Sequence, residues 1–398
     1  MMEVAALGHL RVLELGGGTA LSYAGKLLGD YGADVVKVEP PGGDPERGRW
    51  PSAGAAGESS PVFDYFNQNK RSCIVDCRRD SGRSTVLSLL KWADALITSI
   101  PALEAQGQGF VRDHIEGPAG HDSVTVSISP FGRAGPYATY QASELILQAL
   151  GGLMSLTGYN NREPVRECFS QAGLWGGISG ALAALVAIHE KHRGGHGDVV
   201  DVSILECLAS GLQSSLLYYS YMGATRGRTE PTGGLNQITP TSDGYVVPML
   251  GGYGDWQTLA AFFGSDALLD ERFATNQGRL RNAPALAELL VAALSERTKL
   301  EVFHSAQEWG LPFGVVQTPR DLFDCPQLRE RDFWQAQEGT LATSSFLVPG
   351  APFLMSETPW AARRGAPSAG QHTREVLTDI CELSGPEIDD LLVAEVTA

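Results

Sequence analysis

The sequence predicts an α/β protein built on parallel strands. Its first forty residues contain a short apolar run (Leu10–Leu15), a turn of three glycines, a segment with helical spacing and a second apolar run (Asp34–Glu39). A strand, a tight turn, a helix and another strand, in this order, form the basic unit of a parallel α/β sheet. Further apolar runs alternate with helical segments along the first half of the chain, which extends the same pattern.

Each element follows from the spacing of its apolar residues. Short apolar runs bounded by turn residues indicate strands, and longer runs with apolar residues every three or four positions indicate helices. The predicted strands are Leu10–Leu15, Asp34–Glu39, Ser72–Cys77, Ala95–Ile100, Val124–Ile128 and Val199–Val202. The predicted helices of this half are Leu21–Tyr31, Gly82–Ala93, Ala142–Leu156, Gln171–His192 and one that follows the last strand through Tyr221. Gly223–Gly234 is typical of a linker, and a smaller α+β region follows it.

Composition excludes several classes of partner. The chain of 398 residues carries a formal net charge of −16, which repels phosphate backbones and anionic lipid, so we expect neither nucleic acid nor a membrane as a partner. The six cysteines are scattered, as is typical of a reducing compartment, and the first residues lack the pattern of a signal peptide. The expected location is therefore cytoplasmic. No metal site is expected, because the histidines near residue 192 fall at a helix end, where cations suit the helix dipole.

Several motifs then occur in a recognisable order. The chain opens with "LRVLELGGGTALSYAGKLLGDYGADVVKVEPPGGDPERG", and "NKRS", "SPFGRAGP" and "GDVVDVS" follow. With these motifs nearly the whole chain resembles the class III CoA-transferase family, which includes L-carnitine CoA-transferase and the bile-acid-inducible operon F protein. The resemblance implies a Rossmann-like large domain (residues 1–222 and 335–398), a linker (223–234) and an inserted smaller α+β domain (235–334). It also implies an interlocked dimer.

The resemblance places an unusual residue at the reactive centre. In this family an aspartate carboxylate attacks the acyl-CoA and forms covalent intermediates. Pro164–Arg166 and Ala181–Leu185 match the family on either side of that aspartate, whose position then falls on Gly173. Because glycine has no side chain, we expect this chain to lack standard aspartyl-CoA chemistry. The remaining weak candidates for a nucleophile are Glu144, Glu167 and Cys168.

The resemblance also assigns residues around the CoA. The positions assigned to CoA or substrate binding are Ala20, Asn69, Lys70, Arg71, Ser99, Gly233 and Gly234. An arginine that holds CoA in relatives corresponds to Pro101, which can neither donate a hydrogen bond nor carry charge. A CoA thioester remains possible as a substrate through the other assigned positions. No covalently bound cofactor is expected.

Three functions remain open on this sequence. In the first, the cleft is repurposed for other chemistry on an acyl or carboxylate-type substrate. In the second, the chain is a non-catalytic partner in a heterodimer with an aspartate-bearing paralogue. In the third, it is an active acyl-CoA:carboxylate CoA transferase that uses another nucleophile, and two copies of this chain would form a homodimer. Losing both the aspartate and a CoA arginine favours the first, since one arginine–phosphate contact is worth on the order of 1.5–3 kcal/mol.

Overall fold

The chain forms two compact units. The computed structural model describes residues 5–49, 60–100, 123–228, 238–250, 255–338, 345–394 and 396–397. Unit 1 comprises Met1–Met154, Arg166–Thr225 and Asp332–Ala398, and unit 2 comprises Ser155–Val165 and Arg226–Arg331. Ser155–Val165, which the sequence analysis assigned to the larger domain, groups with unit 2. The reason is local, because the Arg228 side chain donates hydrogen bonds to the carbonyl oxygens of Tyr159 and Arg162.

Unit 1 is built on a six-stranded sheet whose neighbouring strands are all parallel. The strands are β1 (Arg11–Leu15), β2 (Asp34–Glu39), β3 (Lys70–Ile74), β4 (Ala95–Thr98), β5 (Val124–Ser129) and β6 (Val199–Ser203). Their spatial order is β3-β2-β1-β4-β5-β6. The predicted α/β fold class is confirmed. In a sheet of this order the chain turns in opposite directions after β1 and β4, which leaves a crevice outside their carboxyl ends.

Helices cover both faces of this sheet. The helices up to residue 222 are α1 (Thr19–Asp30), α2 (Pro61–Asn67), α3 (Asp80–Trp92), α4 (Glu144–Leu150), α5 (Leu153–Leu156), α6 (Gln171–His192), α7 (Ile204–Gly211) and α8 (Gln213–Met222). Successive strand residues point to opposite faces, so Val12 packs in the core beneath α1 and α6 whereas Leu13 packs in the core beneath α3. Both side chains are completely buried.

Glycines bring α6 unusually close to its neighbours. A Cβ atom added at Gly177 would lie 2.9 Å from the Ala20 carbonyl oxygen, and one added at Gly176 would lie 2.8 Å from Ile204 Cγ1. Among the described residues, α6 is one helix whose length and composition would suffice to cross a membrane, but half of its apolar window is buried inside the protein. The packing of α6 on α1 accounts for the buried half of that apolar composition.

Some predicted boundaries differ from the structure. The third strand ends at Ile74, so Cys77 lies beyond it and not on the strand. The single predicted helix Ala142–Leu156 is two helices, α4 and α5, because Gly152 adopts a φ of +85° between them. The helix expected after β6 is likewise divided into α7 and α8.

Unit 2 has its own core, and the C-terminal region returns to unit 1. Unit 2 contains an antiparallel sheet of β7 (Thr239–Thr241), β8 (Gly244–Pro248) and β9 (Phe313–Val315). Its helices are α9 (Trp256–Phe263), α10 (Asn276–Arg281), α11 (Ala283–Leu294), α12 (Lys299–Glu308), α13 (Pro319–Asp324) and α14 (Pro326–Glu330), with short 3-10 turns at Asp266–Leu269 and Glu271–Phe273. The C-terminal region contains a hairpin of β10 (Trp334–Glu338) and β11 (Ser345–Pro349), then α15 (Thr373–Asp379) and α16 (Gly385–Val393).

The C-terminal segment covers the exposed edge of β3. His372 donates its backbone N–H to the carbonyl oxygen of Ser72 at 2.9 Å, and its Nδ1 accepts the N–H of Ser72 at 3.2 Å. Thr373 Oγ1 accepts the N–H of Ile74. An edge strand with unpaired backbone groups invites aggregation, and these hydrogen bonds satisfy that edge from within the chain.

Candidate functional site

A cleft of about 480 Å³ opens at the carboxyl ends of β1–β4, in unit 1. The residues that line it are Leu15, Gly16, Gly17, Val38, Glu39, Pro40, Pro41, Asp44, Pro45, Val75, Asp76, Cys77, Arg78, Ser99 and Ile100. This is the crevice that the strand order creates, and its volume lies within the range of small-molecule sites.

The turn after β1 forms one wall of the cleft. Its first position, Gly16, accommodates only glycine. Gly16 has a φ of +121°, and a Cβ atom on it would lie 2.5 Å from Ser99 Oγ. Ser99 Oγ accepts the N–H of Gly17 at 3.0 Å and donates to the carbonyl oxygen of Gly17 at 2.8 Å. Ser99, one of the sequence-predicted binding residues, is thus part of the wall and ties the carboxyl end of β4 to the glycine turn.

The turn leads directly into the amino end of α1. Gly18 is the N-cap of this twelve-residue helix, and no side chain caps it. Uncapped N–H groups and the helix dipole favour an anion at such a place. Ala20 lies in the first turn of α1 with its side chain buried against α6, so only its backbone could meet a ligand.

Ionised side chains line the rest of the cleft. Arg78, whose side chain is 75% exposed, reaches out from the end of β3 and pairs with Asp76 at 2.8 Å. Glu39 is buried and accepts two hydrogen bonds from Arg47. Burial raises the pKa of Glu39, but the hydrogen bonds and charge of Arg47 outweigh it and lower the pKa below its usual value. Glu39 is therefore charged and would repel an anionic ligand. The binding of such a ligand in the cleft would depend on Arg78 and on backbone N–H groups.

The structure buries Lys70 away from the lining of the cleft, which does not fit its sequence-based assignment to CoA binding. Its ammonium group is completely buried and contacts Glu14 Oε2 at 2.7 Å, the Ser22 carbonyl oxygen at 2.8 Å and Asn67 Oδ1 at 2.9 Å. Burial is the largest influence and lowers the pKa of Lys70 to about 8, although Glu14 opposes this shift. Since an ammonium group has three donors and all three are used, Lys70 stabilises the sheet and does not line the cleft.

A second buried lysine, Lys37, connects Glu14 to the cleft residue Asp44. Lys37 Nζ lies 2.8 Å from Glu14 Oε1 and 2.7 Å from Asp44 Oδ2. Burial lowers the pKa of Lys37, but the two carboxylates outweigh burial and raise it. Together with Lys70 the group contains two acids and two bases, and Asp44 links this neutral network to the cleft wall.

Asn69 and Arg71 also have structural partners in place of a ligand. Asn69 Oδ1 accepts the backbone N–H groups of Arg363 and Arg364, which fixes the C-terminal segment. Arg71 is 7% exposed and pairs with Asp34 and Glu375, near the amino ends of the strands and so at the opposite edge from the cleft. The sequence-based assignment of both residues to CoA binding is corrected by this placement. Gly233 and Gly234 lie outside the described residues.

Gly173 lies at the amino end of α6, packed against the amino end of α1. It is buried, and a Cβ atom on it would lie 2.9 Å from Thr19 Cβ, 3.1 Å from Thr19 Cγ2 and 3.5 Å from Ser170 Cβ. Cβ atoms in proteins do not approach closer than about 3 Å, so this position has no room for a side chain without movement of Thr19.

Glu144 caps the amino end of α6. Its Oε1 accepts the N–H of Ala172 at 2.7 Å, and its Oε2 accepts the N–H of Gly173 at 3.1 Å. Gln148 donates to Oε1 as well, at 2.8 Å. A carboxylate at a helix amino end is stabilised by these donors and by the helix dipole. These bonds make Glu144 a structural cap and leave it a poor nucleophile.

The two other weak nucleophile candidates precede α6. Glu167 is half-buried, and its backbone N–H and carbonyl oxygen are both bound by the Gln148 side chain. Cys168 is exposed and is followed by Phe169, which has a positive φ of 59° and is 72% exposed. Neither side chain forms a pair with a general base in the part of the chain that the structure describes.

Arg49 is the residue at this place that sequence reasoning missed. Its Nη1 donates to Thr19 Oγ1 at 2.5 Å and to Glu46 Oε2 at 2.7 Å, and its Nη2 donates to Ser170 Oγ at 2.7 Å. The guanidinium therefore joins the amino ends of α1 and α6 beside Gly173. The local sequence around Arg49, in a Pro- and Gly-rich loop, does not indicate a role for this arginine. Its partner Ser170 is 121 residues away in sequence, so only the folded structure shows the contact.

The fold and the cleft define an α/β protein with a candidate ligand site at the switch point of a doubly wound sheet. The family model of CoA-transferase family III matches residues 7–373. The chain belongs to this family, which confirms the resemblance found in the sequence. Within the described ranges, no group of three or more His, Cys, Asp or Glu side chains could hold a metal ion.

Relatives in sequence and in structure match almost the whole chain. A succinyl-CoA:(R)-benzylsuccinate CoA-transferase subunit, BbsE, from Thauera aromatica is 30% identical over 93% of this chain and 93% of its own length. A succinyl-CoA–D-citramalate CoA-transferase from Chloroflexus aurantiacus is 32% identical over 96% of both chains. The crystal structure of a CAIB/BAIF family protein from Brucella suis superposes with a TM-score of 0.84 at 28% identity, covering 94% of this chain and 99% of that one.

Proposed function

We propose that the chain is a CoA-binding subunit of a heteromeric CoA transferase and that a second, aspartate-bearing chain supplies the nucleophile. The observation that carries this proposal is the packing of Gly173. The resemblance to the family implies that the nucleophile corresponds to this position, where the chain has no side chain and where a Cβ atom would require Thr19 to move. Glu144, the nearest carboxylate to the Gly173 backbone N–H, is occupied as a helix cap.

The cleft supports CoA binding by this chain. Its glycine turn and the uncapped amino end of α1 offer backbone donors to phosphate, and Arg78 offers a cation at the rim. Its apolar wall, which includes Val38, Val75 and Ile100, suits a purine ring or a pantetheine arm. These features make a CoA thioester the best ligand for the cleft, although Lys70 and Arg71 do not take part.

An exposed apolar stripe on α6 supports a role as one subunit of an assembly. Trp175, Ile178, Leu182 and Val186 are 45%, 47%, 61% and 61% exposed, respectively. Their spacing of three, four and four residues places them on one face of the helix. A contiguous apolar face of this kind marks a protein–protein contact, and we assign it to the second chain.

The relatives support the substrate class. Two of the relatives are named as transferases between succinyl-CoA and (R)-benzylsuccinate or D-citramalate, and the first of these is named as a subunit. We therefore propose a dicarboxylic acyl-CoA as donor and a free carboxylate as acceptor. The six cysteines are all free thiols, which supports the proposed cytoplasmic location.

The proposed reaction divides the work between two chains. The carboxylate of the second chain attacks the thioester carbonyl and releases the CoA thiolate, which then attacks the resulting anhydride to give an enzyme–CoA thioester and the free acid. The acceptor carboxylate attacks that thioester, and the released thiolate attacks the acceptor's carbonyl in the new anhydride. This chain retains the CoA throughout, so the thiolate stays near both anhydrides.

Reconstitution tests the proposal. The chain is purified alone and after co-expression with an aspartate-bearing paralogue from the same genome, and thioester exchange from succinyl-CoA to a panel of carboxylates is followed by mass spectrometry. We expect exchange only from the pair, and none when the paralogue's aspartate is replaced by alanine. Exchange by the paralogue alone at the rate of the pair would overturn the subunit role. If the co-expressed pair shows no thioester exchange and this chain binds no CoA, the result would favour the function in which the cleft is repurposed for other chemistry.

A further inference from the structure

We infer that Arg49 binds the free carboxylate of a dicarboxylic acyl group and so sets the preference for succinyl-type thioesters. This inference rests on the proposed function and deepens it, because it assigns the acyl specificity to one side chain. It starts from the position of the guanidinium, which shares both of its hydroxyl partners, Thr19 and Ser170, with the surroundings of Gly173.

The hydroxyl partners hold the guanidinium in place. Thr19 is the first residue of α1, and Ser170 directly precedes α6, so each hydroxyl is held by the end of a packed helix. Ser170 is 7% exposed, and the Arg49 side chain is 33% exposed. A cation anchored at two helix ends and open to solvent on one side is a fixed recognition group and not a freely moving surface arginine.

Arg49 also retains the donors that a carboxylate needs. A guanidinium has five N–H donors, and the three hydrogen bonds to Thr19, Glu46 and Ser170 use two on Nη1 and one on Nη2. Among the described residues nothing accepts from Nε or from the second hydrogen of Nη2. These two nitrogens lie side by side on the planar group, and neighbouring guanidinium nitrogens bind the two oxygens of a carboxylate.

The charges nearby affect how strongly a carboxylate would bind. Glu144 is the carboxylate beside Gly173, but its oxygens already accept the backbone N–H groups of α6. Glu46 pairs with Arg49 on its solvent side, where both side chains are 33% exposed. An incoming carboxylate would therefore meet one cation that is already paired with Glu46, and Glu46 would weaken the binding of that carboxylate.

Equilibrium binding of matched thioesters tests the assignment. The full-length protein is titrated with CoA, butyryl-CoA and succinyl-CoA, where the last two differ chiefly by one terminal carboxylate. We expect wild type to bind succinyl-CoA about tenfold or more tightly than butyryl-CoA. Arg49→Gln should lose that difference and keep its affinity for butyryl-CoA and CoA. Arg374→Gln, which removes an exposed arginine paired with Asp389, is the matched control and should behave as wild type.

Glu46→Gln provides a variant with the opposite expected effect. Removing this carboxylate eliminates the competing charge and weakens its hold on Nη1, so the preference for succinyl-CoA should increase. A preference for succinyl-CoA that survives in Arg49→Gln, or one that falls in Glu46→Gln, overturns the role of Arg49 while leaving CoA binding intact. Failure of wild type to bind CoA itself overturns the proposed function and this inference together.

Discussion

Adding one methyl group at Gly173 tests the packing on which the proposed function depends. In Gly173→Ala the new Cβ would lie 2.9 Å from Thr19 Cβ and 3.1 Å from Thr19 Cγ2. Overpacking of a tightly packed contact costs about 1–3 kcal/mol, whereas alanine is favoured over glycine in a helix by at most about 1 kcal/mol. We therefore expect a net loss of up to about 2 kcal/mol in the free energy of unfolding.

A second substitution separates the steric cost from other effects. Thr19→Gly removes the two Thr19 atoms that crowd the new methyl group and leaves only the ordinary contact with Ser170 Cβ, so Gly173→Ala should stabilise that background by up to about 1 kcal/mol. The four proteins of this double-mutant cycle are compared by urea denaturation and by thermal melting. A coupling of about 1–3 kcal/mol between the two positions is the expected result. Additive effects of the two substitutions would refute the claim that position 173 has no room for a side chain.

Three further predictions concern the buried network, the cleft and the C-terminal segment. Glu14→Gln leaves two buried lysines with one acid, so the free energy of unfolding should fall by about 3–5 kcal/mol in chemical denaturation, and full stability would contradict the network. Arg78→Ala should raise the Kd for CoA by roughly tenfold in titration calorimetry, with Arg374→Ala unchanged. Burial, with help from nearby arginines, lowers the pKa of His372 from its ordinary 6.5. The unfolded chain then binds a proton first, so melting temperature should fall as the pH drops through and below about 6.5, with a weaker dependence in His372→Gln.

The strands were predictable because their burial is visible in their apolar composition. β1, β2 and β5 are buried from both faces, and such strands appear in sequence as short continuous apolar runs. Even the charged residues within these runs are buried, since Glu14 and Lys37 neutralise each other across neighbouring strands. The family motifs then supplied the topology, which periodicity alone does not determine.

The roles of the polar residues assigned to binding were less predictable, because the partners of these residues are distant in sequence. Lys70 and Arg71 look like a phosphate-binding pair in the motif, but Lys70 meets Glu14 from 56 residues away, and Arg71 meets Glu375 from 304 residues away. Arg49 was missed for the same reason, since its significance comes from Ser170. By contrast, Ser99 does line the cleft, because it directly follows β4 and such a residue lies at the carboxyl edge of the sheet.

Intact-mass spectrometry of the purified chain with succinyl-CoA tests the central claim most directly. Under native conditions we expect the mass of the chain plus noncovalent CoA or succinyl-CoA, as the cleft predicts. Under denaturing conditions we expect the mass of the unmodified chain, because no nucleophile of its own forms an acyl or CoA adduct. An aspartate-bearing relative, treated in parallel, should carry a covalent adduct that hydroxylamine removes. A covalent CoA or succinyl adduct on the lone chain would contradict the account and direct attention to Glu167 and Cys168.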